Sequence, residues 1–386
     1  MRPKTNPGRR VSVVFALATL LTAVSFVCAA ENEGAKDESA RAQFTDMVKP
    51  GALWFLSYGW GEEGGAPSNQ ARLERGYLTL KFKPCTWFEP RVTLDVHQDD
   101  TGDFKARFKY LYGRFILPVE TIFFTDPYIE FGIVHTPWFD FEEHLNRYRA
   151  QGTMFIERNG VLNSADVGVT VGGLFGVKLD KDYRDKVNPH YPGVYGSFAL
   201  GVYNGGGYHA KENNQNKVFE ARLTLRPLWM VLPGMQLSYF YINGLGNTPA
   251  EPGWRLHDMM LSYEHEFFTA TAQYTMGEGN QDGERVDADG AAQEFTGFSL
   301  FGEIKLPWIK SALLARYDNL DWDTDGGEPM GKRLVVGYAF HFLPGNFLML
   351  SYDRAWTPGD APADWQVRLT LQVAYPIRWP QDRHGS

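Results

Sequence analysis

This sequence of 386 residues contains little cysteine. It also has few long hydrophobic runs and no excess of positive charge. With only 2 Cys it is not a disulfide-rich scaffold. No apolar run beyond residue 30 reaches 18 residues, which excludes a bundle of membrane-spanning helices. The net charge of −8 argues against a nucleic-acid partner. At 44% hydrophobic residues, the chain is too apolar for a disordered protein.

The first thirty residues have the layout of a secretory signal peptide. A basic segment, MRPKTNPGRR, precedes an apolar stretch at 11–27, and small residues follow at 28–30. A membrane anchor is the alternative, although no basic flank follows the apolar stretch. Removal of residues 1–30 would leave 34 basic and 46 acidic residues, a net charge of −12, and Cys85 as the one cysteine. We therefore expect an exported protein whose fold needs no disulfide.

The rest of the chain alternates apolar and polar residues with a period of two. Residues 364–379 show this best, because Val367, Leu369 and Leu371 alternate with Arg368 and Thr370. This period is typical of β-strands that have one apolar face. It recurs in sixteen predicted segments: 52–61, 71–83, 87–97, 104–116, 127–136, 165–177, 194–204, 217–227, 234–243, 255–266, 268–278, 294–306, 311–322, 332–343, 346–356 and 364–379.

The connections between these segments alternate between short turns and long polar loops. Short turns are predicted at 84–86, 307–310 and 343–345, and long loops include 62–70, 205–216 and 279–293. Two connections, near 117–126 and 178–193, are longer than this rule requires. An even number of ten-residue strands predicts an all-β, transmembrane antiparallel β-barrel, because only a closed sheet pairs every backbone amide in lipid. A soluble β-sandwich is the alternative.

This interpretation divides the chain into a signal peptide at 1–30, a short lead-in at 31–51, a barrel at 52–379 and a tail at 380–386. Aromatic residues near the strand ends are expected to form girdles at the two lipid interfaces. They are Tyr58, Trp60, Trp87, Tyr112, Trp254, Trp322, Trp356, Trp365, Tyr375 and Trp379.

The connection at 137–164 differs from the others, because it is rich in large apolar residues. Phe139, Phe141 and Phe155 would be costly to expose, so this loop should fold against another surface. Folded inside the lumen it would narrow the pore and set selectivity; a cap over the outer mouth is the alternative. The predicted constriction residues are Asp140, Glu142, Glu143, His144, Arg147, Arg149, Glu157 and Arg158.

The polar faces of the predicted strands carry charges of both signs. The basic residues expected on the lumen wall are Arg75, Lys81, Arg91, Lys105, Arg107, Lys109, Arg222, Arg316, Arg333 and Arg368. Most share their faces with acids: Glu74, Glu89, Asp95, Glu130, Glu220, Asp258, Glu264, Glu303, Asp318 and Asp353. Lys105, Arg107 and Lys109 follow one face of strand four, where they form either an anion-attracting surface or a merely hydrated wall.

Two stretches, EFGIVHTPW and FIERNGVLNSADVGVTVGG, resemble the phosphate-selective porin O and P family. The shared features are Gly132, Thr136–Pro137, Glu157–Arg158 and DVGV at 166–169, and GVYNGGG at 201–207 resembles the family's later turn. The resemblance implies a sixteen-stranded outer-membrane channel with an inward loop, assembled as a trimer. Phosphate-selective members depend on a lumen rich in Arg and Lys, and the mixed wall here does not predict that selectivity.

No other chemistry is prominent in the sequence. Asp321, Asp323 and Asp325-Gly326 match the opening of a calcium loop, but Lys332 stands where the twelfth position needs Glu. A looser external calcium site or a hydrated acidic loop are both consistent with this. Because no catalytic or zinc motif is found, we expect neither an enzyme nor a metal site or cofactor.

The sequence therefore favours an outer-membrane porin for passive diffusion of small hydrophilic solutes or ions, with lipid and lipopolysaccharide as its surroundings. A phosphate or oxyanion channel is one alternative. A plugged structural or adhesive barrel, whose external loops bind a partner, is another.

Overall fold

The computed structural model describes residues 47–99, 101–119, 121–323, 330–356 and 364–375. They form a closed barrel of sixteen antiparallel strands, in which each strand pairs with its neighbours in sequence and β1 pairs with β16. The strands are β1 (Val48–Glu63), β2 (Ala66–Phe82), β3 (Phe88–Gln98), β4 (Phe104–Ile116), β5 (Phe124–His135), β6 (Ala165–Phe175), β7 (Gly196–Tyr203), β8 (Val218–Leu225), β9 (Met235–Leu245), β10 (Gly253–Glu264), β11 (Phe268–Glu278), β12 (Glu294–Leu306), β13 (Ser311–Trp322), β14 (Met330–Leu343), β15 (Asn346–Trp356) and β16 (Asp364–Tyr375).

The all-β barrel and its sixteen strands are confirmed, and most strand ends lie within three residues of their predicted positions. The predicted loop at 62–70 is wrong, because β1 and β2 continue to a two-residue turn at Gly64 and Gly65. Both glycines have positive φ angles, 59° and 75°, as a tight hairpin turn requires. β1 also begins at Val48, inside the predicted lead-in. Residues 1–46 and 376–386, with the expected signal peptide and tail, lie outside the described residues.

Short helices occur only in connections of the described chain. They are α1 (Pro137–Leu145), α2 (Phe155–Arg158), α3 (Lys181–Lys186) and two 3₁₀ turns at Arg149–Gln151 and Pro307–Ile309. In the part of the chain that the structure describes, no helix is both long and apolar enough to cross a membrane. α3 belongs to the connection 176–195, one of the two that the sequence marks as unusually long. We call the barrel end that carries connections 83–87, 307–310 and 344–345 the short-turn end, and the opposite end the long-loop end.

Strand register sorts the side chains into an apolar outer face and a polar inner face. One row across β9 to β13 consists of Leu237, Leu261, Ala272, Leu300 and Tyr317. The leucines in this row are exposed on the outside of the barrel. The adjacent row on the inside is Ser238, Met260, Gln273, Ser299 and Asp318. So wide an exposed apolar surface is unfavourable in water and suits lipid.

A β-bulge changes the facing of β4. Thr93 pairs with Tyr110 and Leu94 pairs with Phe108, so Lys109 is an extra residue in the ladder. Before the bulge, Phe104 and Phe108 face outward; after it, Phe115 does. Tyr110, Tyr112 and Arg114 are therefore directed to the lumen together with Arg107 and Lys109. Bulges re-aim side chains in this way near functional sites.

The predicted aromatic girdle holds only in part. Tyr58, Trp60 and Tyr375 are exposed. Trp254 and Trp322 instead lie buried inside the barrel, in a cluster with the loop that follows β5. Tyr112 is also buried and directed inward, because of the bulge in β4. Trp379 lies outside the described residues.

Candidate functional site

The connection between β5 and β6, residues 136–164, folds inside the barrel; we call it the inner loop. Near the end of β5, Gly132 has a φ of 132° and approaches the Leu111 carbonyl oxygen so closely that there is no room for a Cβ atom. Pro137 then starts α1, a position where its missing N–H costs no hydrogen bond. The buried apolar residues of the loop pack against inward-facing strand residues, so the interpretation as a cap over the outer mouth is wrong.

Apolar packing holds the inner loop against the wall formed by β8 to β13. The ring of Trp138 stacks on Phe240 at 5.5 Å between centroids. Loop residues and wall residues form one buried cluster, which accounts for the apolar composition of the loop. From the loop it contains Trp138, Phe139, Phe141, Leu145, Met154, Phe155, Ile156, Val161 and Leu162; from the wall it contains Val218, Phe240, Ile242, Trp254, Leu256, Met260, Phe295, Leu320 and Trp322.

A second contact lies across the lumen from β5 and β6, so the inner loop crosses the barrel. Tyr148 and Ala150 are buried against residues of β1 and of β12 to β15, including Phe55 and Phe347. The Tyr148 hydroxyl donates to Glu303 Oε1 at 2.6 Å. Arg147 donates to the same carboxylate oxygen at 2.6 Å. The loop therefore contacts the wall from β8 round to β15 and β1.

Ion pairs hold the second half of the inner loop. Arg158 donates to Asp318 Oδ2 at 3.0 Å, and Arg316 donates to Asp318 Oδ1 at 2.9 Å. All three side chains have little exposure to water. Within the loop, Arg149 pairs with Glu143 at 2.5 Å and with Glu157 at 3.1 Å. These arginines and carboxylates fix the loop geometry.

The connection 176–195 supports the loop from the short-turn end. Tyr191 donates a short hydrogen bond to Asp140, and Asn188 donates to the His144 carbonyl oxygen at 3.2 Å. Asp140 also lies 3.5 Å from His135 Nε2. Burial acts to raise the pKa of Asp140, but His135, His144 and the Tyr191 hydroxyl hold it well below its usual value. Asp140 is therefore an ionised carboxylate at the edge of the lumen.

The eight predicted constriction residues do not share one environment. Asp140, Glu143 and His144 are partly exposed, and the Arg147 side chain is 53% exposed. Arg149, Glu157 and Arg158 are mostly covered and bind other protein groups. Glu142 is buried. Water thus reaches the first half of the loop more than the second.

Most cations of the predicted basic wall have carboxylate partners. Arg75 and Arg107 share Asp95, at 2.5 Å and 3.2 Å. Further pairs join Arg333 to Asp353, Arg368 to Glu74, Lys105 to Asp99 and Arg316 to Asp318. Arg222 instead donates to the Pro137 carbonyl oxygen at 3.0 Å and so holds the start of α1. In the described chain, no carboxylate lies within 4.0 Å of the charged groups of Lys81, Arg91 and Lys109.

Assigning strand faces from the alternation of residues failed to place several residues of β4 in the lumen. Arg114 donates to Glu130 at 2.7 Å inside the barrel, and Tyr110 packs against His135 with ring centroids 3.9 Å apart. The sequence did contain an indication of this. The apolar residues of the strand stand at even positions up to Phe108, and Leu111 then stands at an odd position. Such a change within one strand indicates a bulge.

A cavity of about 400 Å³ lies at the short-turn end, between the inner loop, the connection 176–195 and β3 to β6. Charged and aromatic residues line it, including Glu89, Arg114, Tyr128, Lys178 and His190. It provides a water-accessible space below the loop. Among the described residues, no group of three or more His, Cys, Asp or Glu side chains is placed to hold a metal ion. The middle of the calcium-like motif, residues 324–329, lies outside the description.

Loop docking should weaken as pH rises, because of Glu142. Burial raises the pKa of this carboxyl from 4.5 to about 8, and Asp318 adds to the increase. The docked loop keeps the proton that an undocked loop would lose near pH 4.5, so docking is strongest below that pH and weakens up to about pH 8. We expect the rate at which a protease cleaves the inner loop to rise between pH 5 and pH 9, and Glu142→Gln to abolish the rise. Glu143→Gln is the control that should retain it, and an unchanged profile in Glu142→Gln would contradict this role.

Comparisons with known proteins identify the fold and no narrower class. No protein-family model and no curated protein sequence matches the chain. Three solved structures are similar over 85% of this chain: OmpF of Salmonella typhi in complex with daunomycin (TM-score 0.60, 10% identity, 97% of that chain), the outer-membrane channel DcaP of Acinetobacter baumannii (0.54, 12%, 97%) and a porin refined at 1.8 Å (0.50, 11%, 100%). At these identities the likeness shows a shared fold, the closed sixteen-stranded barrel of outer-membrane porins.

Proposed function

We propose that this protein is an outer-membrane porin, through which small hydrophilic solutes or ions diffuse beside the inner loop. One observation carries the proposal. A barrel with an apolar outer face encloses a folded loop, and partly exposed charges lie along that loop and the facing wall. Lipid would cover the outer face, while water would enter the charged interior. The proposal involves no covalent chemistry and no cofactor.

The proposal includes export by the segment 1–30, residence in the bacterial outer membrane and assembly as a trimer. The first rests on the signal-peptide layout of the sequence. The other two rest on the resemblance to the phosphate-selective porin family, on the apolar outer face and on the shared porin fold. Lipopolysaccharide would then surround the long-loop end.

Two alternatives each have an observation in their favour. Lys81, Arg91 and Lys109, which have no described carboxylate within 4.0 Å, favour an oxyanion-selective channel. The inner loop crosses the lumen from β5 and β6 and packs on the wall from β8 to β15 and β1, which favours a plugged structural or adhesive barrel. These alternatives differ from a general porin in what they conduct.

Reconstitution of the mature protein into planar bilayers tests the proposal. We expect stepwise single-channel currents in 1 M KCl, with a small reversal potential under a salt gradient. Strong anion preference with block by phosphate would favour the oxyanion channel. Correctly inserted protein that carries no current would overturn the porin proposal and favour the plugged barrel.

Arg147 offers a selectivity test, because it is the most exposed cation of the inner loop. Arg147→Ala removes a positive charge beside Glu303 and should raise the cation-to-anion permeability ratio about twofold. Arg147→Lys keeps the charge and should behave like the unmodified protein. Reversal potentials in a tenfold KCl gradient measure the ratio, and equal ratios for both variants would exclude Arg147 from the conduction path.

A further inference from the structure

We propose that the wall formed by β2, β3 and β4 binds aromatic monocarboxylates, which would make this solute class a preferred cargo. The site centres on Lys109, Tyr77 and Tyr110, with Arg91 and Tyr112 toward the short-turn end. This inference rests on the proposed porin function and assigns it a substrate class. It derives from a buried cation with no described carboxylate within 4.0 Å and from the rings that surround this cation.

Lys109 has an incomplete electrostatic environment. Lys109 is only 4% exposed, yet none of the described carboxylates lies within 4.0 Å of its ammonium group. The ammonium nitrogen lies over two rings, 4.9 Å from the centre of Tyr77 and 5.5 Å from that of Tyr110. Glu143 and Arg149 of the inner loop act on it from farther away with opposite signs. A buried cation without a close partner is costly, so a permeating anion would be stabilised here.

Unsatisfied hydrogen-bonding capacity lies at the same place. The Tyr77 hydroxyl is buried and has no partner among the described groups. Arg91, one strand away, donates to Thr93 and contacts His135, and no described carboxylate lies within 4.0 Å of its guanidinium group. A carboxylate has two acceptor oxygens, which a lysine and a tyrosine hydroxyl can satisfy together.

Aromatic rings continue along this wall in both directions. Arg91 lies over Tyr110 at 4.6 Å and Arg114 over Tyr128 at 4.2 Å. Toward the long-loop end, Arg107 lies over Tyr208 at 5.0 Å. The wall thus alternates cations and phenol rings from one end of the barrel to the other. A solute with both a negative charge and a flat apolar ring would find both kinds of contact at each step.

The same composition disfavours strongly hydrated anions. A phosphate dianion gives up much more hydration than a carboxylate and needs several fixed donors to replace it. At Lys109 the surroundings are largely phenol rings, which replace little of that hydration. An aromatic monocarboxylate has a single negative charge to pair with Lys109, and its apolar ring gains from leaving water.

The test compares two probes that differ in their rings. Benzoate and cyclohexanecarboxylate carry the same charge on six-membered rings, but only benzoate is flat and aromatic. The full-length mature protein is studied in bilayers, where each sodium salt competes with chloride current, and in detergent, where saturation-transfer NMR measures binding without conduction. We expect benzoate to bind and block at least about fivefold more strongly than cyclohexanecarboxylate.

Matched variants on β4 locate the site. Lys109→Met should weaken benzoate binding about tenfold, whereas Lys105→Met on the same strand, which is exposed and paired with Asp99, should change it less than about twofold. Tyr110→Leu should remove the preference for the aromatic probe, and Tyr110→Phe should retain it. Heat-modified mobility on gels checks that each variant folds.

The outcomes separate this inference from the porin proposal. Conduction in which both probes act equally, or in which Lys109→Met has no effect, overturns the aromatic-carboxylate site and leaves the porin standing. Benzoate binding in detergent without any conduction overturns the porin and leaves the site. Absence of both overturns both.

Discussion

Trp138→Ala combined with Phe155→Ala should raise single-channel conductance about twofold or more and make the current fluctuate. Both rings are fully buried in the cluster that joins the inner loop to β8 to β13. Each truncation should cost about 3–5 kcal/mol of packing free energy. Because these contacts dock the loop and the barrel strands pair through their own backbones, the loop should detach while the barrel persists.

Single-channel recording and heat-modified gel mobility measure the two halves of this prediction. Trp308→Ala is the matched control, because Trp308 is 70% exposed in a short turn and takes no part in the cluster. That control should conduct like the unmodified protein. Unaltered conductance in the double variant, with the barrel intact, would show that the inner loop is not what limits the pore.

Asp318→Asn should lower the free energy of unfolding by about 3–5 kcal/mol, because it leaves Arg158 and Arg316 buried without their shared counter-ion. Asp318 also accepts a hydrogen bond from Ser299 at 2.7 Å, so its carboxylate has three protein donors. Urea unfolding in phosphatidylcholine vesicles, followed by tryptophan fluorescence, measures the loss.

Two further variants make this prediction specific. Asp182→Asn breaks an exposed ion pair with Lys186 on α3 and should leave the unfolding midpoint unchanged. Arg158→Met in the Asp318→Asn background removes one of the two buried cations that have lost their shared carboxylate. This second change should restore part of the free energy of unfolding. If Asp318→Asn lowered the free energy of unfolding no more than Asp182→Asn, the ion pairs of Asp318 with Arg158 and Arg316 would have no special role in stability.

The porin-like fold could be predicted from the sequence because the relevant signal is local. Alternation with a period of two depends on residues that are neighbours in the chain, and lipid on one side with water on the other enforces it. The same holds for the interior position of the loop at 137–164, because its apolar residues need a surface to cover. Even the bulge in β4 left a local signal, the change of parity between Phe108 and Leu111.

The candidate site itself depends on contacts between distant parts of the chain. Sequence alone marked Lys105, Arg107 and Lys109 as equivalent positions on one face. The structure pairs Lys105 with Asp99 and Arg107 with Asp95, and it buries Lys109 among phenol rings. Which cations keep an uncompensated charge therefore depends on strand register and loop docking, and neither leaves a pattern within one segment.

A closed β-barrel with an apolar outer face and one loop directed inward could be predicted without coordinates, since these features follow from local alternation and from the cost of exposing apolar side chains. The folded structure was needed to show which strands the loop contacts, that Glu142 of the loop and Asp318 of the wall are buried, and that Trp254 and Trp322 lie in the interior. The physical reason is that burial and charge compensation arise from residues far apart in sequence, whose distances are fixed only when the barrel closes.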